Sequence, residues 1–400
     1  MRVTFLHAAD LHLGTPFKGV GEASPWLRMR LIESSFEALK RLLDLAKESD
    51  MLLLAGDLLE TGLPHLRARL ELIRALDVLT AEGVRVFMVA GNHDPYPSWE
   101  GVPLPQGVHL FTPDGEEVEV SLGGHRVSVS GISHGARKVK DNLVHRIPPG
   151  KGDLRLTLIH AYLQGLEGHD PYAPCALGDL VSRDFHYWAM GHIHRGQVMM
   201  EDPWVVYPGN LQGRHFREDG PKGCYRVVWD DGGAQVEFCP LAPVVWTRRV
   251  LFLEGVKGEG TLSERLESLK EEVRGLEGVM LRVALEGPSP LYALEREEWS
   301  QIEEMLNEGE EREGFVWTTL EKRLLPPLNL KELSLRDEFL AQLIKEAMVV
   351  ADDPSLDEEL ESLWGRGDVK RWIGNLRREN RIRLADEALR EALTFMLRDK

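Results

Sequence analysis

Short apolar runs recur through the first half of the chain, and each is followed by a residue that can bind a metal ion. Runs that are rich in Val, Leu and Ile and bounded by Gly or polar residues predict buried strands. Helical patterns at Leu27–Ala46 and Leu66–Thr80 separate the first of these strands, which indicates a βαβαβ order. The runs are Val3–Leu6, Met51–Leu54, Val84–Val89, Leu154–Ile159 and Phe185–Met190.

Seven Asp, Asn and His side chains lie at or just beyond the ends of these runs. Taken singly they are weak signals, because Gly-Asp and Asn-His are ordinary turn dipeptides and a histidine at a strand end is more often structural. Taken together they predict a metal centre, since the carboxyl ends of strands collect along one edge of an α/β sheet. The seven are Asp10, His12, Asp57, Asn92, His160, His192 and His194.

These residue types suit the hydrolysis of phosphate esters. The reaction needs a hydroxide at neutral pH and compensation for charge that builds on the phosphoryl oxygens, and two cations roughly 3.5–4 Å apart supply both. Asp57 is the candidate bridge between the cations, and Gly56 permits a sharp turn before it. Because no cysteine joins the His, Asp and Asn set, we expect two divalent metal ions, with Mn²⁺ preferred over Fe²⁺ or Zn²⁺.

The hydrophobic rhythm divides the chain into three predicted parts. After Pro243 it alternates between strand and helix, and beyond the break at Pro326-Pro327 it becomes helical from Leu333 onward. We therefore expect a catalytic domain at 1–245, a small α+β domain at 246–325 and a helical segment at 326–400. The elements expected in the middle part are Val250–Leu253, Leu262–Val273, Val279–Leu285, Tyr292–Leu306 and Phe315–Leu320.

Composition limits the function and the compartment. The net charge of −17 argues against a broad DNA-binding surface, although much of the acid lies beyond the catalytic part, in Glu295–Glu313 and Asp352–Glu361. The three cysteines form no C-x-x-C motif and are expected to be reduced thiols. No apolar run approaches the length of about 18 residues that a membrane span needs, so we expect a soluble, cytoplasmic protein.

The motifs together resemble those of the calcineurin-like metallophosphoesterases. F-L-H-A-A-D-L-H-L-G, A-G-D-L, G-N-H-D and G-H-I-H-R carry the resemblance over residues 1 to about 240. The stretch Tyr207–Glu218 and the layout after it resemble the SbcD-type DNA-repair exonuclease subunits of bacteria, a group that includes YhaO-like proteins. The resemblance implies an α/β fold in which two packed sheets form a sandwich flanked by helices, followed by a small α+β capping domain and a C-terminal helical segment.

The resemblance also implies a role for each motif residue. His93 would face the scissile phosphate, where it stabilises transition-state charge or protonates the leaving oxygen, and an imidazole pKa near neutrality agrees with this. Asp94 either fixes the His93 tautomer or caps a turn. One metal would be held by Asp10, His12, Asp57 and His194, and the other by Asp57, Asn92, His160 and His192.

Four further residues are candidate substrate contacts. His134 follows an apolar run and would reach the edge of the site. Arg214, His215 and Arg217 stand just beyond Gly209-Asn210, close in sequence to the metal-binding region, and arginine pairs bidentately with phosphate. The ordinary alternative for these three is a salt bridge to nearby Glu218 or Asp219.

Partners are implied by the resemblance alone. The 246–325 domain would help to position DNA, and the C-terminal helices would dock on the coiled-coil base of an SMC-like (SbcC-type) ATPase. A homodimer is also expected, to which Leu66–Thr80 could contribute; the alternative is that the amphipathic face of this helix belongs to the core. The last stretch is basic and amphipathic, which also fits a solvated helix face, and its cations include Arg366, Lys370, Arg371, Arg377, Arg378, Arg381 and Arg383.

The function expected from all of this is a two-metal DNA exonuclease that also cleaves single strands internally. A small-substrate phosphodiesterase or phosphatase on the same metal core is the alternative within enzymes. A subunit that mainly tethers DNA for an SMC-like ATPase is the alternative outside them, and the complete ligand set argues against it.

Overall fold

The computed structural model describes residues 2–17, 19–20, 23–60, 66–166, 170–253, 256, 258–352 and 378–397. Two six-stranded sheets pack face to face, and helices cover their outer faces. The predicted α/β architecture of two sheets flanked by helices is therefore confirmed.

The helices and strands in the described residues have the following bounds. The α-helices are α1 Pro25–Ala46, α2 Leu66–Ala81, α3 Leu177–Val181, α4 Glu259–Val273, α5 Arg296–Asn307, α6 Leu330–Arg336, α7 Glu338–Asp352 and α8 Arg378–Leu397. Short 3₁₀ helices span Tyr96–Trp99, Leu143–Arg146 and Pro290–Ala293. The strands are β1 Arg2–Ala8, β2 Met51–Ala55, β3 Arg85–Val89, β4 Val108–Leu110, β5 Glu116–Leu122, β6 His125–Ile132, β7 Leu154–His160, β8 Tyr187–Gly191, β9 Gln197–Glu201, β10 Trp204–Tyr207, β11 Gly223–Asp230, β12 Gly233–Pro240, β13 Val245–Phe252, β14 Gly278–Pro288 and β15 Phe315–Leu325.

The order of the strands explains why the ligand segments converge. The first sheet runs β12-β11-β1-β2-β3-β4 and the second runs β5-β6-β7-β8-β10-β9. Strands β1 to β4 are parallel neighbours, as are β6, β7 and β8. Parallel neighbours place their carboxyl ends along one edge of the sheet, so the segments after β1, β2, β3, β7 and β8 can reach a common site.

The core lies on both faces of the first sheet. Successive side chains of a strand point to opposite faces, so Phe5 packs against the second sheet while Leu6 packs under α1. Both are fully buried, and burial of each such side chain stabilises the fold by roughly 1.5–3 kcal/mol. Burial on both faces is the reason that β1 appears in the sequence as a continuous apolar run instead of an alternating one.

The α1 helix begins at Pro25, directly after its N-cap residue Ser24. The Ser24 hydroxyl accepts a hydrogen bond from the Leu27 N–H at 3.2 Å, and Pro25 occupies the first turn, where a missing N–H costs nothing. The helix then buries Leu31 and Leu42 among other apolar side chains. Leu42 packs in one cluster with Leu6 of β1 and Leu52 of β2, so the helix covers the strands that precede the first two ligand segments.

The predicted alternation of strand and helix after residue 245 is confirmed, although several of the predicted bounds differ from the observed ones. The first strand begins at Val245, earlier than Val250. A single helix over Tyr292–Leu306 is wrong, because Ser289 caps a separate 3₁₀ helix and α5 begins only at Arg296. A three-stranded sheet has the order β13-β14-β15.

The chain divides into two compact units. The first comprises Met1–Thr247, Val273–Met280 and Gly309–Trp317, and the second comprises Arg248–Glu272, Leu281–Glu308 and Thr318–Lys400. Within the second unit, α7 and α8 pack around Leu340, Leu389 and Leu393. The roles expected for 246–325 and 326–400 stay predictions, and the basic stretch at 366–377 lies outside the described residues.

Among the helices that the structure describes, none combines the length and the apolar character that crossing a membrane requires.

Candidate metal centre

The seven predicted ligands meet at the shared edge of the two sheets. Ligand atoms of Asp10, His12 and His194 lie within 4.8 Å of one another, and we call this group the Asp10 side. The His160 side consists of Asn92, His160 and His192, with Asn92 Oδ1 3.1 Å from His160 Nε2.

Asp57 lies between the two sides. Its Oδ2 is 3.3 Å from His160 Nε2 and 3.7 Å from His12 Nε2. His192 completes the set, because its backbone N–H donates to Asp10 Oδ2 at 3.1 Å while its ring lies 5.3 Å from that of His160. The position of Asp57 is the one that a bridging carboxylate needs.

The backbone at the site is in a conformation that side chains seldom adopt. Asp10, His12, Asp57 and His192 have positive φ values of 52°, 43°, 54° and 100°. Such a conformation costs about 1–3 kcal/mol at each non-glycine residue and persists where the surrounding structure enforces it, which is common at functional sites. All four belong to the predicted ligand set.

Glycines let the ligand loops approach one another. A Cβ at Gly91 would lie 2.1 Å from Asp57 Oδ1, and a Cβ at Gly191 would lie 1.8 Å from the Ala55 carbonyl oxygen. Neither position has room for a side chain. The glycines of A-G-N-H-D and G-H-I-H are therefore required by the packing of the site.

Hydrogen bonds set the tautomers of the ligand histidines. Nδ1 of His160 donates to the Ala55 carbonyl at 2.8 Å, and Nδ1 of His194 donates to Glu218 at 2.6 Å, so each presents Nε2 to the site. His192 is opposite, because its Nε2 donates to the Asp170 carbonyl at 2.8 Å. Such partners are usual for metal-binding histidines.

The donor set fits divalent cations. Nε2 of His12 and Nε2 of His194 face each other at 3.3 Å, and the second of these carries no proton in the tautomer that Glu218 fixes. A cation shared by both nitrogens would satisfy this arrangement, and the buried Asp10 and Asp57 carboxylates beside it would compensate the charge.

The electrostatics of the pocket agree with a site for positive charge. Burial raises the pKa of Asp10. Burial also opposes ionisation of Asp57, but the nearby His160 holds the pKa of Asp57 well below its usual range. Conversely, burial lowers the pKa of His160, but Asp57 outweighs it and raises that pKa to about 9. In the absence of metal, an ion pair between Asp57 and His160 would neutralise the pocket.

His93 lies beside this centre and is accessible. Its side chain is 42% exposed, and its backbone N–H donates to Asp57 Oδ1 at 2.8 Å. Nδ1 of the ring lies 2.8 Å from Glu60 Oε2, which leaves Nε2 on the side of Asp57, 3.9 Å from its Oδ2. Burial lowers the pKa of His93, but Glu60 and Asp57 outweigh it, and the pKa lies above its ordinary value.

Asp94 has the second of the two roles considered for it. Its carboxylate is fully buried and accepts hydrogen bonds from the backbone N–H groups of Asp57, Leu58, Leu59 and Gly91. These bonds tie the turn after β2 to the turn after β3. The expectation that Asp94 fixes the His93 tautomer is not supported, because Glu60 contacts the ring nitrogen.

His134 is buried beneath the centre. Its Nε2 donates to the backbone carbonyl of His160 at 2.7 Å, and burial lowers its pKa to about 4. It supports the strand that carries His160 from behind and is fully shielded from solvent. This geometry therefore favours a structural role for His134 over the predicted contact with substrate.

The three residues after Gly209-Asn210 differ from one another. Arg214 and His215 lie near Glu218, with nitrogen-to-Oε1 distances of 3.8 and 3.4 Å. Arg217 is exposed. The salt-bridge alternative thus describes Arg214 and His215, and their contact with substrate stays a prediction.

Sequence reasoning missed two carboxylates at the site. Glu60 follows Asp57 by three residues and contacts His93, while Glu218 closes the Tyr207–Glu218 motif and contacts His194. From the sequence, Glu218 is expected only as a salt-bridge partner. The sequence signal that could have indicated Glu60 is its position three residues after the predicted ligand Asp57.

Comparison with known proteins agrees with this site. A model of the family described as calcineurin-like phosphoesterase matches residues 3–196. The chain is 36% identical over 326 residues to the uncharacterized metallophosphoesterase YhaO of Bacillus subtilis, covering 79% of this chain and 80% of that protein. It is 26% identical over 351 residues to the DNA double-strand break repair protein Mre11 of Methanopyrus kandleri, covering 77% of this chain and 73% of that protein.

Among solved structures, a dimetal phosphatase from Danio rerio matches with a TM-score of 0.35 at 16% identity, covering 56% of this chain and 92% of that one. The chain belongs to the calcineurin-like phosphoesterase family. It is a metallophosphoesterase, a hydrolase of phosphate esters in a family that uses a dimetal site, and its residues are compatible with metal binding.

Proposed function

We propose that the chain is a two-metal DNA exonuclease of the SbcD type that also cleaves single strands internally, with Mn²⁺ as its preferred metal. The observation that carries the proposal is the meeting of seven ligand side chains beside an accessible histidine whose ring is oriented by a carboxylate. Together these groups provide two cation positions and one proton donor at a phosphate.

The protein's own residues divide the work. The Asp10 side and the His160 side would each hold one cation, with Asp57 between them. When bound, the two cations would lower the pKa of the attacking water and neutralise charge on the phosphoryl oxygens. Nε2 of His93 would donate a proton to the departing oxygen, because Glu60 engages Nδ1 and favours the charged ring.

Two observations support a DNA substrate. The Mre11 relative is a DNA double-strand break repair protein by name. In this chain, the exposed Lys138 and Lys140 lie in a loop whose Val139 carbonyl accepts the Ala173 N–H at 2.8 Å. The loop that contains Ala173 also contacts His192 through the Asp170 carbonyl. The two lysines are thus connected to the metal centre through this loop, and a phosphate backbone that enters the centre could pass them.

The test is digestion of end-labelled double- and single-stranded DNA with Mn²⁺, using wild type, His93→Ala and the control His109→Ala. His109 matches His93 in exposure, 37% against 42%, and in having a glutamate partner, Glu116 at 3.1 Å. Stepwise shortening by wild type and by the control alone supports the proposal. Cleavage of a chromogenic phosphodiester with DNA intact, even in excess enzyme, favours a small-substrate phosphodiesterase instead.

We also propose the partners that the family resemblance implies. Exposed Leu335, Phe339 and Phe395 on α6, α7 and α8 support docking of an SMC-like coiled-coil ATPase, since an amphipathic face can pack in a groove between helices. Exposed Leu66 and Leu70 on α2 support a homodimer. Light scattering with and without the ATPase, on wild type and on Phe339→Glu and Leu70→Glu, tests the two contacts separately.

A further inference from the structure

Glu218 is a buried carboxylate that contacts both metal-binding and phosphate-binding candidates. Its side chain is 5% exposed. Oε1 accepts a hydrogen bond from His194 Nδ1 at 2.6 Å. Oε2 accepts hydrogen bonds from the Arg214 backbone N–H at 2.7 Å and from Asn210 Nδ2 at 3.0 Å. Three donors thus converge on one side chain, two of them from the loop that follows β10.

The Arg214 side chain lies beside the Glu218 carboxylate that holds the candidate metal ligand His194. Its guanidinium lies 3.8 Å from Glu218 Oε1, and its side chain is 15% exposed. Its Nε is buried and has no hydrogen-bond partner among the residues that the structure describes. An arginine with an unused donor, next to the carboxylate that holds a ligand histidine, is suited to bind a phosphoryl oxygen.

The buried lysine Lys222 holds the backbone of His194, whose ring is held by Glu218. Nζ of Lys222 donates to the His194 backbone carbonyl at 2.7 Å, and Lys222 is 6% exposed. The His194 ring is therefore fixed by Glu218 and its backbone by Lys222. Both residues come from the segment between β10 and β11, so the geometry of the Asp10 side depends on how that segment folds.

We propose that Glu218 is a positioning residue that holds a metal ligand and a phosphate-binding arginine in register: it orients His194 toward the Asp10 side and keeps Arg214 facing the substrate phosphoryl group. The inference rests on the proposed function, from which it takes the metals and the phosphate ester. A carboxylate behind a ligand histidine fixes its tautomer and raises its basicity, and loss of such a partner commonly costs 10–100-fold in metal affinity.

Calorimetric titration of the metal-free protein with Mn²⁺ tests the first half. Glu218→Ala is expected to weaken one of two sites at least tenfold and to leave the other unchanged. The Mn²⁺ affinity of Glu218→Gln should lie between those of wild type and Glu218→Ala. The glutamine keeps an oxygen that can accept from His194, but its NH₂ group would face the Asn210 and Arg214 donors and cannot accept from them. The control Asp219→Asn removes an exposed neighbouring carboxylate and should bind Mn²⁺ like wild type.

Thermal unfolding of the metal-free variants separates positioning from folding. If Glu218→Ala does not fold, Glu218→Gln decides, and a folded Glu218→Gln protein with both wild-type Mn²⁺ affinities overturns the inference. Two unweakened sites in a folded Glu218→Ala protein overturn it as well. DNA cleavage has no part in this readout, so a protein that binds two metals but spares DNA contradicts the proposed nuclease and leaves the role of Glu218 standing.

Hydrolysis of a chromogenic phosphodiester tests the second half. Arg214→Ala should raise KM about tenfold while both Mn²⁺ affinities stay unchanged. Glu218→Ala should raise KM and weaken one metal site together, since it releases both groups. An unchanged KM in Arg214→Ala, or a Glu218→Ala defect confined to stability, contradicts the proposed coupling.

Discussion

The two sides of the metal centre are held in different ways. On the His160 side, the fully buried His160 ring donates to a backbone carbonyl, that of Ala55. On the Asp10 side, the His194 side chain is 24% exposed and donates to a side chain, Glu218, that lies 24 residues further along the chain. The backbone of β2 positions His160 as soon as the strands have formed, whereas the position of His194 depends on a network of side chains. The His160 side is therefore fixed by the fold, and the Asp10 side can be changed by substitution.

The largest effect is expected where the fold itself holds the ligand. In Gly191→Ala the new Cβ would lie 1.8 Å from the Ala55 oxygen and 2.7 Å from His160 Nδ1, so the strands must separate. We expect the free energy of unfolding of the metal-free protein to fall by about 1–3 kcal/mol and Mn²⁺ binding on the His160 side to be lost.

Urea unfolding and calorimetry measure both quantities for Gly191→Ala. Gly178→Ala is the matched control, since it lies in α3 with no atom within 4 Å of the added Cβ. Wild-type stability in Gly191→Ala would show that the strand ends have room for a methyl group and do not fix the His160 side.

Much of the His160 side is predictable from the sequence, and the reason is local. Each ligand there lies within three residues of the end of an apolar run, so the position of a strand also gives the approximate position of its ligand. The network of the Asp10 side is not predictable in this way, because the contact between His194 and Glu218 depends on the path of a loop. Glu60 was missed for the same reason, since its partner His93 lies 33 residues away.

Asp94 illustrates the other limit of sequence reasoning. Within the motif G-N-H-D the neighbour His93 suggests a pair, but the carboxylate is directed to N–H groups of the turn after β2, as many as 37 residues away. Only the register of β2 and β3 decides between those partners. A short motif can thus identify a site while assigning one of its residues the wrong role.

The next effect concerns a residue that belongs to neither side. His93→Gln should lower kcat by about 10²–10⁴-fold, because it removes the proton donor that we propose for the transition state. Mn²⁺ affinity on both sides should stay at the wild-type value, since the His93 ring is held by Glu60. Steady-state kinetics with a chromogenic phosphodiester and calorimetry measure the two, with His109→Gln as control. Retained turnover with both metals bound would remove His93 from the mechanism.

A smaller effect is expected from the carboxylate behind His93. Glu60 raises the pKa of His93, so a reaction that needs the protonated ring loses rate as pH rises through that raised pKa. Glu60→Gln removes the effect, and the alkaline limb of kcat against pH should move to lower pH, with kcat reduced by about tenfold at most. A limb that stays in place or moves upward contradicts the orientation assigned to Glu60.

The smallest effect is expected outside the centre altogether. Replacing both Lys138 and Lys140 by Gln should weaken DNA binding and reduce the slope of log affinity against log salt by about 2, because each lysine would neutralise one phosphate. Hydrolysis of a small phosphodiester should not change, since both lysines are exposed loop residues outside the predicted ligand set. Fluorescence anisotropy at several salt concentrations gives the slope, and an unaltered slope excludes the loop from the DNA path.

The most direct test of a centre with two sides is an anomalous difference map from crystals of the wild-type protein grown with Mn²⁺. We predict two peaks. One should lie among Asp10, His12 and His194, the other among Asn92, His160 and His192, with Asp57 between them. A single peak, or peaks outside these side chains, would contradict a centre built from two sides.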